Sequence, residues 1–258
     1  MHIAAVQFDI RWEDRTANHA RVRHLLSQCD LPRNSLVVLP EMFDTGFSIN
    51  TAVTDPGTVS ASELFCREIA KEYQVAVLAG MATRTREGRL ANEAVAFSPD
   101  GGELVRYRKR QPFALAGEHL HYPAGTVPAT FEWQGVRIAP LICYDLRFPE
   151  LFRPTAVAGA ELFIVIANWP VARIGHWVCL LQARAIENQA YVLGVNRAGA
   201  DPNFKYDGRT SLFDPHGKQI FEADAREQIL TADIDAELVR AWREQFPALR
   251  DAKLGIHS

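Results

Sequence analysis

The sequence predicts an α/β protein folded as one domain. Three observations lead there: short apolar runs rich in branched side chains recur along the whole chain, stretches of helical period lie between them, and no repeat, low-complexity segment or linker breaks the alternation. A length of 258 residues exceeds the usual size of a domain, yet sandwiches and barrels of this length are common. The composition, 48% hydrophobic and 23% charged, is ordinary for a chain with a substantial core.

Residues 2–8 read as a buried strand, 16–28 as a helix with an apolar stripe at Val22, Leu25 and Leu26, and 35–39 as a second strand. Glu41 falls just past that strand. A helix over 60–73 and a strand over 75–80 follow, and SPDGG then turns a hairpin between 94–97 and 103–107. Lys109 comes after the hairpin's second arm. The run 136–142 leads as a strand directly into Cys143, and RFPELFRPTAVAG reads as a helix opening near Pro149, because proline suits a first helical turn. Cys143 is thereby placed at a strand-to-helix turn. A strand over 162–166, a helix over 174–188, a strand over 191–196, two short strands around DPHG, a strand over 229–234 and a last helix from Ala236 complete the chain.

The formal net charge of -3, without a Lys/Arg block, argues against nucleic acid or anionic lipid as a partner. MHIAAVQFDIRWEDR lacks the charged head and long apolar stretch of a signal peptide, and nowhere do eighteen apolar residues run uninterrupted. Cys29, Cys66, Cys143 and Cys179 lie far apart, without the paired spacing of a zinc site or redox motif. The expectation is a cytoplasmic protein with reduced thiols and no membrane association.

Strand tips are where α/β sheets gather their chemistry, and Glu41, Lys109 and Cys143 sit at three such tips. Together they make a hydrolytic set: a carboxylate to take the thiol proton, an ammonium to stabilise an oxyanion, and a thiolate to attack. A cation beside the thiol favours thiolate while burial disfavours it. Position alone favours reading Cys143 as a small core residue over a nucleophile.

LPEMFDTGF around Glu41, YRKRQPF around Lys109, LICYDLRFPELFR around Cys143 and the later HWVCLLQARAIENQAYVLGVNRAG resemble, in order, the signature segments of the nitrilase (carbon-nitrogen hydrolase) superfamily. The similarity spans essentially the whole chain. It implies a four-layer α-β-β-α sandwich, the catalytic triad Glu41, Lys109 and Cys143, and no metal or organic cofactor. It also implies a homodimer or higher homo-oligomer, packed through the helices after Cys143 and from Ile174. AGEHLHYPAG is similar to the segment carrying a second glutamate that positions lysine and substrate, here Glu118. The reaction implied is acyl transfer through a Cys143 thioester, with Lys109 and the backbone N–H of Tyr144 holding the oxyanion. NWPVARIGHW and REQFPALRDA look most like bacterial omega-amidases, which take the terminal amide of short dicarboxylate monoamides such as 2-oxoglutaramate. Three positions depart from similar sequences: Gln111 replaces a histidine, Phe204 a glycine and Thr210 a serine, which bears on loop shape and substrate fit.

For the substrate, Trp169 and Arg173 are the candidates to line the carbon chain and pair with its carboxylate, Tyr206 is an alternative holder, and Phe43 and Phe113 are expected to form an apolar wall. Arg147 is read as an ion-pair partner of Asp145. Cys66 and Cys179 read as core thiols, His176 and Trp177 as helix-start packing, and His119 and His121 as ordinary histidines rather than metal ligands. Two further readings stay open: a nitrilase or carbamoyl-amide hydrolase with the same triad, and a catalytically idle scaffold or binding protein. Ammonia release from amide and nitrile panels separates the first, and thiol labelling tests the second.

Overall fold

The computed structural model describes residues 1–252. Its strands are β1 (His2–Gln7), β2 (Leu36–Val38), β3 (Ala76–Arg84), β4 (Leu90–Phe97), β5 (Glu103–Arg108), β6 (Phe131–Trp133), β7 (Val136–Ile142), β8 (Leu162–Ala167), β9 (Tyr191–Asn196), β10 (Ala198–Ala200), β11 (Lys205–Asp207), β12 (Ser211–Phe213), β13 (Gln219–Glu222) and β14 (Gln228–Asp233). The α-helices are α1 (Arg15–Ser27), α2 (Thr51–Thr54), α3 (Ala61–Tyr73), α4 (Arg153–Val157), α5 (Ile174–Asn188) and α6 (Ala236–Gln245). Two six-stranded sheets form, β14-β1-β2-β3-β4-β5 and β13-β12-β9-β8-β7-β6, and β10 pairs with β11 as a separate hairpin.

Side chains alternate across a strand, and here both faces of the central strands are apolar, so each sheet must be covered twice. Ile3 and Ala5 of β1 and Leu162, Ile164 and Ile166 of β8 point into one shared core between the sheets. Their neighbours Ala4 and Val6 meet Val22, Leu26, Phe65 and Ile69 of α1 and α3, while Phe163 and Val165 meet Trp177, Leu181 and Ala185 of α5. The result is the expected helix, sheet, sheet, helix order. The helices start on local signals: Asp14 accepts from the Ala17 N–H at 3.0 Å, and Ser60 from the Glu63 N–H at 3.2 Å.

One element departs from the sequence reading. The helix expected to open near Pro149 is broken into a 3-10 turn, Pro149–Leu151, and the short α4, and a separate 3-10 turn, Cys143–Arg147, precedes them. Pro149 and Pro154 lack an N–H and fit only a first helical turn, so each begins a new segment instead of extending the last. The sequence also gave no warning of α2, β6 or the β10–β11 hairpin.

Topology brings the tips together. β2 and β3 are parallel, and two antiparallel pairings then return β5 to the direction of β2, so Glu41 and Lys109 emerge at the same edge of their sheet. β7 and β8 are parallel, which sets Cys143 and Asn168 side by side at the edge of the other. Gly80 of β3 lets the Glu41 backbone approach: its N–H donates to Pro40 O at 3.2 Å, and a Cβ there would lie 2.6 Å from both Glu41 Cα and Ile166 Cδ1. Gly80→Ala should therefore lose about 1 to 3 kcal/mol in chemical denaturation by pushing against Glu41 and Ile166. Unchanged stability would mean that Glu41 keeps its place despite the added methyl.

Candidate active site

The Lys109 ammonium, almost completely buried, donates to Glu41 Oε1 at 2.8 Å and to Glu118 Oε2 at 2.9 Å. A second donor spans the same two carboxylates: Asn92 Nδ2 lies 2.8 Å from Glu41 Oε1 and 2.9 Å from Glu118 Oε1. β4 holds Asn92 opposite Lys109, whose N–H donates to Asn92 O at 3.0 Å. Glu41 Oε2 accepts from the Asn168 N–H at 2.9 Å, and Asn168 Nδ2 donates to Glu41 O at 2.6 Å. Glu118 Oε2 also accepts from the Phe113 N–H at 2.5 Å. Each buried carboxylate thus has several donors, as buried charge requires.

Burial is the strongest influence on Glu41 and would raise its pKa, but the Lys109 charge and the donors from Asn168 and Asn92 overcome it and hold the carboxyl below its ordinary value. Burial would discharge Lys109, yet the carboxylates of Glu118 and Glu41 keep it above its ordinary range. For Cys143, burial and then the Glu41 charge push the thiol well up, and Lys109 opposes them only in part. Of the two opposing influences read from the sequence, burial wins. The thiol is pushed up and the carboxyl beside it is held down.

Cys143 has φ 47°, in the left-handed region that non-glycine residues rarely occupy. This elbow follows β7 directly and opens the turn Cys143–Arg147, so the Tyr144 N–H belongs to a first turn whose N–H groups have no partner within the helix. The buried Asp145 fixes the elbow. It accepts from the Ile142 N–H at 2.9 Å, the Gln111 N–H at 2.9 Å and the Tyr107 hydroxyl at 2.8 Å, tying the turn to β5 and the segment after it that carries Lys109.

Lys109 and Cys143 open into one cleft, lined by Tyr144 and by Phe113, Trp169 and Arg173, three of the residues nominated from the sequence to meet substrate. Tyr206 is there too, together with Phe47, Arg147 and Phe204. Phe43 is not. The chain turns at Met42, φ 42°, and carries Phe43 to the helix side of the sheet, where it packs 5.7 Å from His19 and 6.1 Å from Phe65; Phe47 supplies the wall instead. Nor does Arg147 pair with Asp145, whose oxygens are taken by the three donors named. Arg147 lies 4.8 Å over the Trp169 ring, with Nη2 3.2 Å from His176 Nδ1. Cys179 is another correction: the period of α5 turns it to the exposed outer face, whereas Cys66 is buried. Thr210 Oγ1 is spent inside the sheet, bonded to the Asn196 N–H and O at 3.1 and 3.2 Å, and does not reach the cleft.

Asn92 and Asn168 escaped the sequence reading. Asn168 sits at the tip of β8, where the rule that picked out Trp169 could have found it. Asn92 lies inside a strand among apolar neighbours and gives no local signal.

This fold, with a buried acid–lysine–acid cluster beside an elbow cysteine, defines a sandwich built for chemistry at its strand tips. Residues 2–244 match the family described as carbon-nitrogen hydrolase, and the chain belongs to that family, the nitrilase superfamily. It is 40% identical to "Omega-amidase YafV" of Escherichia coli K12 over 98% of this chain and 96% of that one. With "2-oxoglutaramate amidase" of Bacillus subtilis it shares 31% identity over 99% and 98% of the two chains. Among solved structures, XC1258 of Xanthomonas campestris, described as carrying an arsenic adduct in its active site, superposes with a TM-score of 0.89 and 34% identity, covering 100% of this chain and 99% of the other.

Because Cys179 is exposed, reactivity at Cys143 is best read in a Cys179→Ser background. A thiophilic arsenical should modify Cys143 first, as mapped by peptide mass spectrometry. First modification at Cys29 or Cys66 would contradict an accessible, base-assisted thiol at Cys143.

Proposed function

We propose that the protein is an omega-amidase, cleaving the terminal carboxamide of a short dicarboxylate monoamide such as 2-oxoglutaramate to an acid and ammonia. The observation that carries this reading is the pair Arg147 and Arg173 on the cleft wall. Among the described residues neither guanidinium is bridged to a carboxylate: Arg147 rests on Trp169 and Arg173 lies 5.6 Å over the Phe113 ring. Cations at the mouth of an aromatic cleft suit a ligand carboxylate, which needs charged partners once removed from water. The names of the relatives support the same substrate class.

In the reaction we assign, Glu41 takes the Cys143 proton as sulfur attacks the amide carbonyl. The oxyanion meets the Lys109 ammonium and the Tyr144 N–H. Collapse expels ammonia with the proton from Glu41 and leaves a Cys143 thioester. Glu41 then activates water, and hydrolysis returns the thiol and releases the acid. Glu118 positions Lys109. The chain itself supplies every group these steps use, so we assign no metal or organic cofactor. We take the enzyme to be cytoplasmic, consistent with four free thiols, and a homodimer or higher homo-oligomer packed through the helices after Cys143 and from Ile174.

Glu41→Gln and Lys109→Ala should each lose roughly a hundredfold or more in rate, and Cys143→Ala should be folded and inert. Near-normal turnover in any of them would remove that residue from the mechanism. Arg173→Met should raise KM for succinamate about tenfold or more, as loss of a charged hydrogen bond implies, while sparing a neutral amide of equal length. Equal loss on both would sink the carboxylate role. An ammonia-release screen in which wild type prefers neutral amides or nitriles would sink the omega-amidase reading.

A further inference from the structure

Two carboxylates, Glu41 and Glu118, lie buried side by side with one ammonium between them, so the three side chains carry a net charge of minus one out of contact with water. The interior does not tolerate such a surplus without further donors. Among the described residues Asn92 is the one side chain besides Lys109 that bonds to both acids, and it is itself 1% exposed. Its amide can face two ionised carboxylates only with nitrogen, since oxygen would set acceptor against acceptor. Its Oδ1 has no hydrogen-bond partner among the described residues, so nothing else there competes for the orientation of the group.

We propose that Asn92 is a positioning residue of the reaction, whose amide nitrogen bridges Glu41 and Glu118 and holds both carboxylates in place around Lys109. The proposal rests on the amidase reading, in which Glu41 is the base. The titratable groups that face this cluster are Lys109 from the end of β5, Glu118 from the turn Glu118–Leu120, Cys143 from the elbow and Tyr122 beside Glu118. Tyr122 is bonded away, to Thr54 at 2.7 Å and to Ser48 O at 2.8 Å, and Asp145 acts only from beyond Lys109. Asn92 is therefore the neutral donor that separates two like charges. Losing that donor destabilises the ionised form of Glu41, so Glu41 holds its proton to higher pH. A structural role alone would lower stability or rate without moving this titration.

The test compares wild type with Asn92→Leu, close in size but without the donor, and with Asn92→Ala, all in the Cys179→Ser background. Two pH profiles are recorded: kcat/KM for succinamate, and the rate of Cys143 alkylation by iodoacetamide. In alkylation the sulfur–carbon bond forms, iodide leaves and the thiol proton passes to Glu41, so this readout does not depend on substrate identity. In a folded variant the acid limb of both profiles should move up by about one pH unit, the scale of a lost hydrogen bond to a charged group, with a smaller loss on the plateau. A lowered plateau with an unmoved limb would overturn the proposal. Collapse of the fold in both variants would assign Asn92 to stability alone and overturn it as well. If wild type cleaves no amide, the amidase reading fails by itself, and the alkylation profiles still decide the role of Asn92.

Discussion

The site depends on one constraint: the Lys109 ammonium is held between two buried carboxylates. At this depth an unpaired charge is costly, and removing one partner of a buried pair typically costs about 3 to 5 kcal/mol. Lys109 therefore cannot leave Glu41 and Glu118 without penalty, and neither acid can leave Lys109. The same arrangement decides the chemistry. It holds the Glu41 carboxyl down against its burial while the thiol beside it is pushed up, so in the proposed reaction the proton moves when a substrate carbonyl arrives. In the proposed reaction the lysine is already charged where the oxyanion will form, so no reorganisation is needed at that moment.

The rest of the fold serves that cluster by joining the tips that bear its members. Asn168, after β8, holds both the backbone and the carboxylate of Glu41, after β2, and so couples the two sheets at the point of reaction. Asp145 does the same for the elbow and the Lys109 strand through Gln111 and Tyr107. These cross-links let residues on separate loops keep fixed distances, and Gly80 removes the one Cβ that would force Glu41 away.

Much of this was legible in the sequence. β7, α5 and β9 fall on the expected residues because apolar runs and helical period are strong where an element is long and buried. The Glu41, Lys109, Glu118 and Cys143 cluster was legible only through long motifs, since spacing cannot show that distant residues meet. Local chemistry misled at three places. Proline spacing broke the helix after Cys143, a left-handed turn at Met42 sent Phe43 into the core, and the period of α5 exposed Cys179. Asn92 shows the deeper difficulty: a polar residue inside a strand acquires its meaning only from the partners that the sheet register places opposite it.

The proposed chemistry turns on where one proton rests before substrate binds, and infrared spectroscopy reads it directly. At neutral pH a difference spectrum of wild type minus Cys143→Ala should contain an S–H stretching band from Cys143, and one of wild type minus Glu41→Gln the carboxylate bands of an ionised Glu41. Absence of the S–H band, with thiolate absorbance in the ultraviolet, would mean that the proton already sits on Glu41 and that the Lys109 charge overrides burial, contrary to the arrangement described.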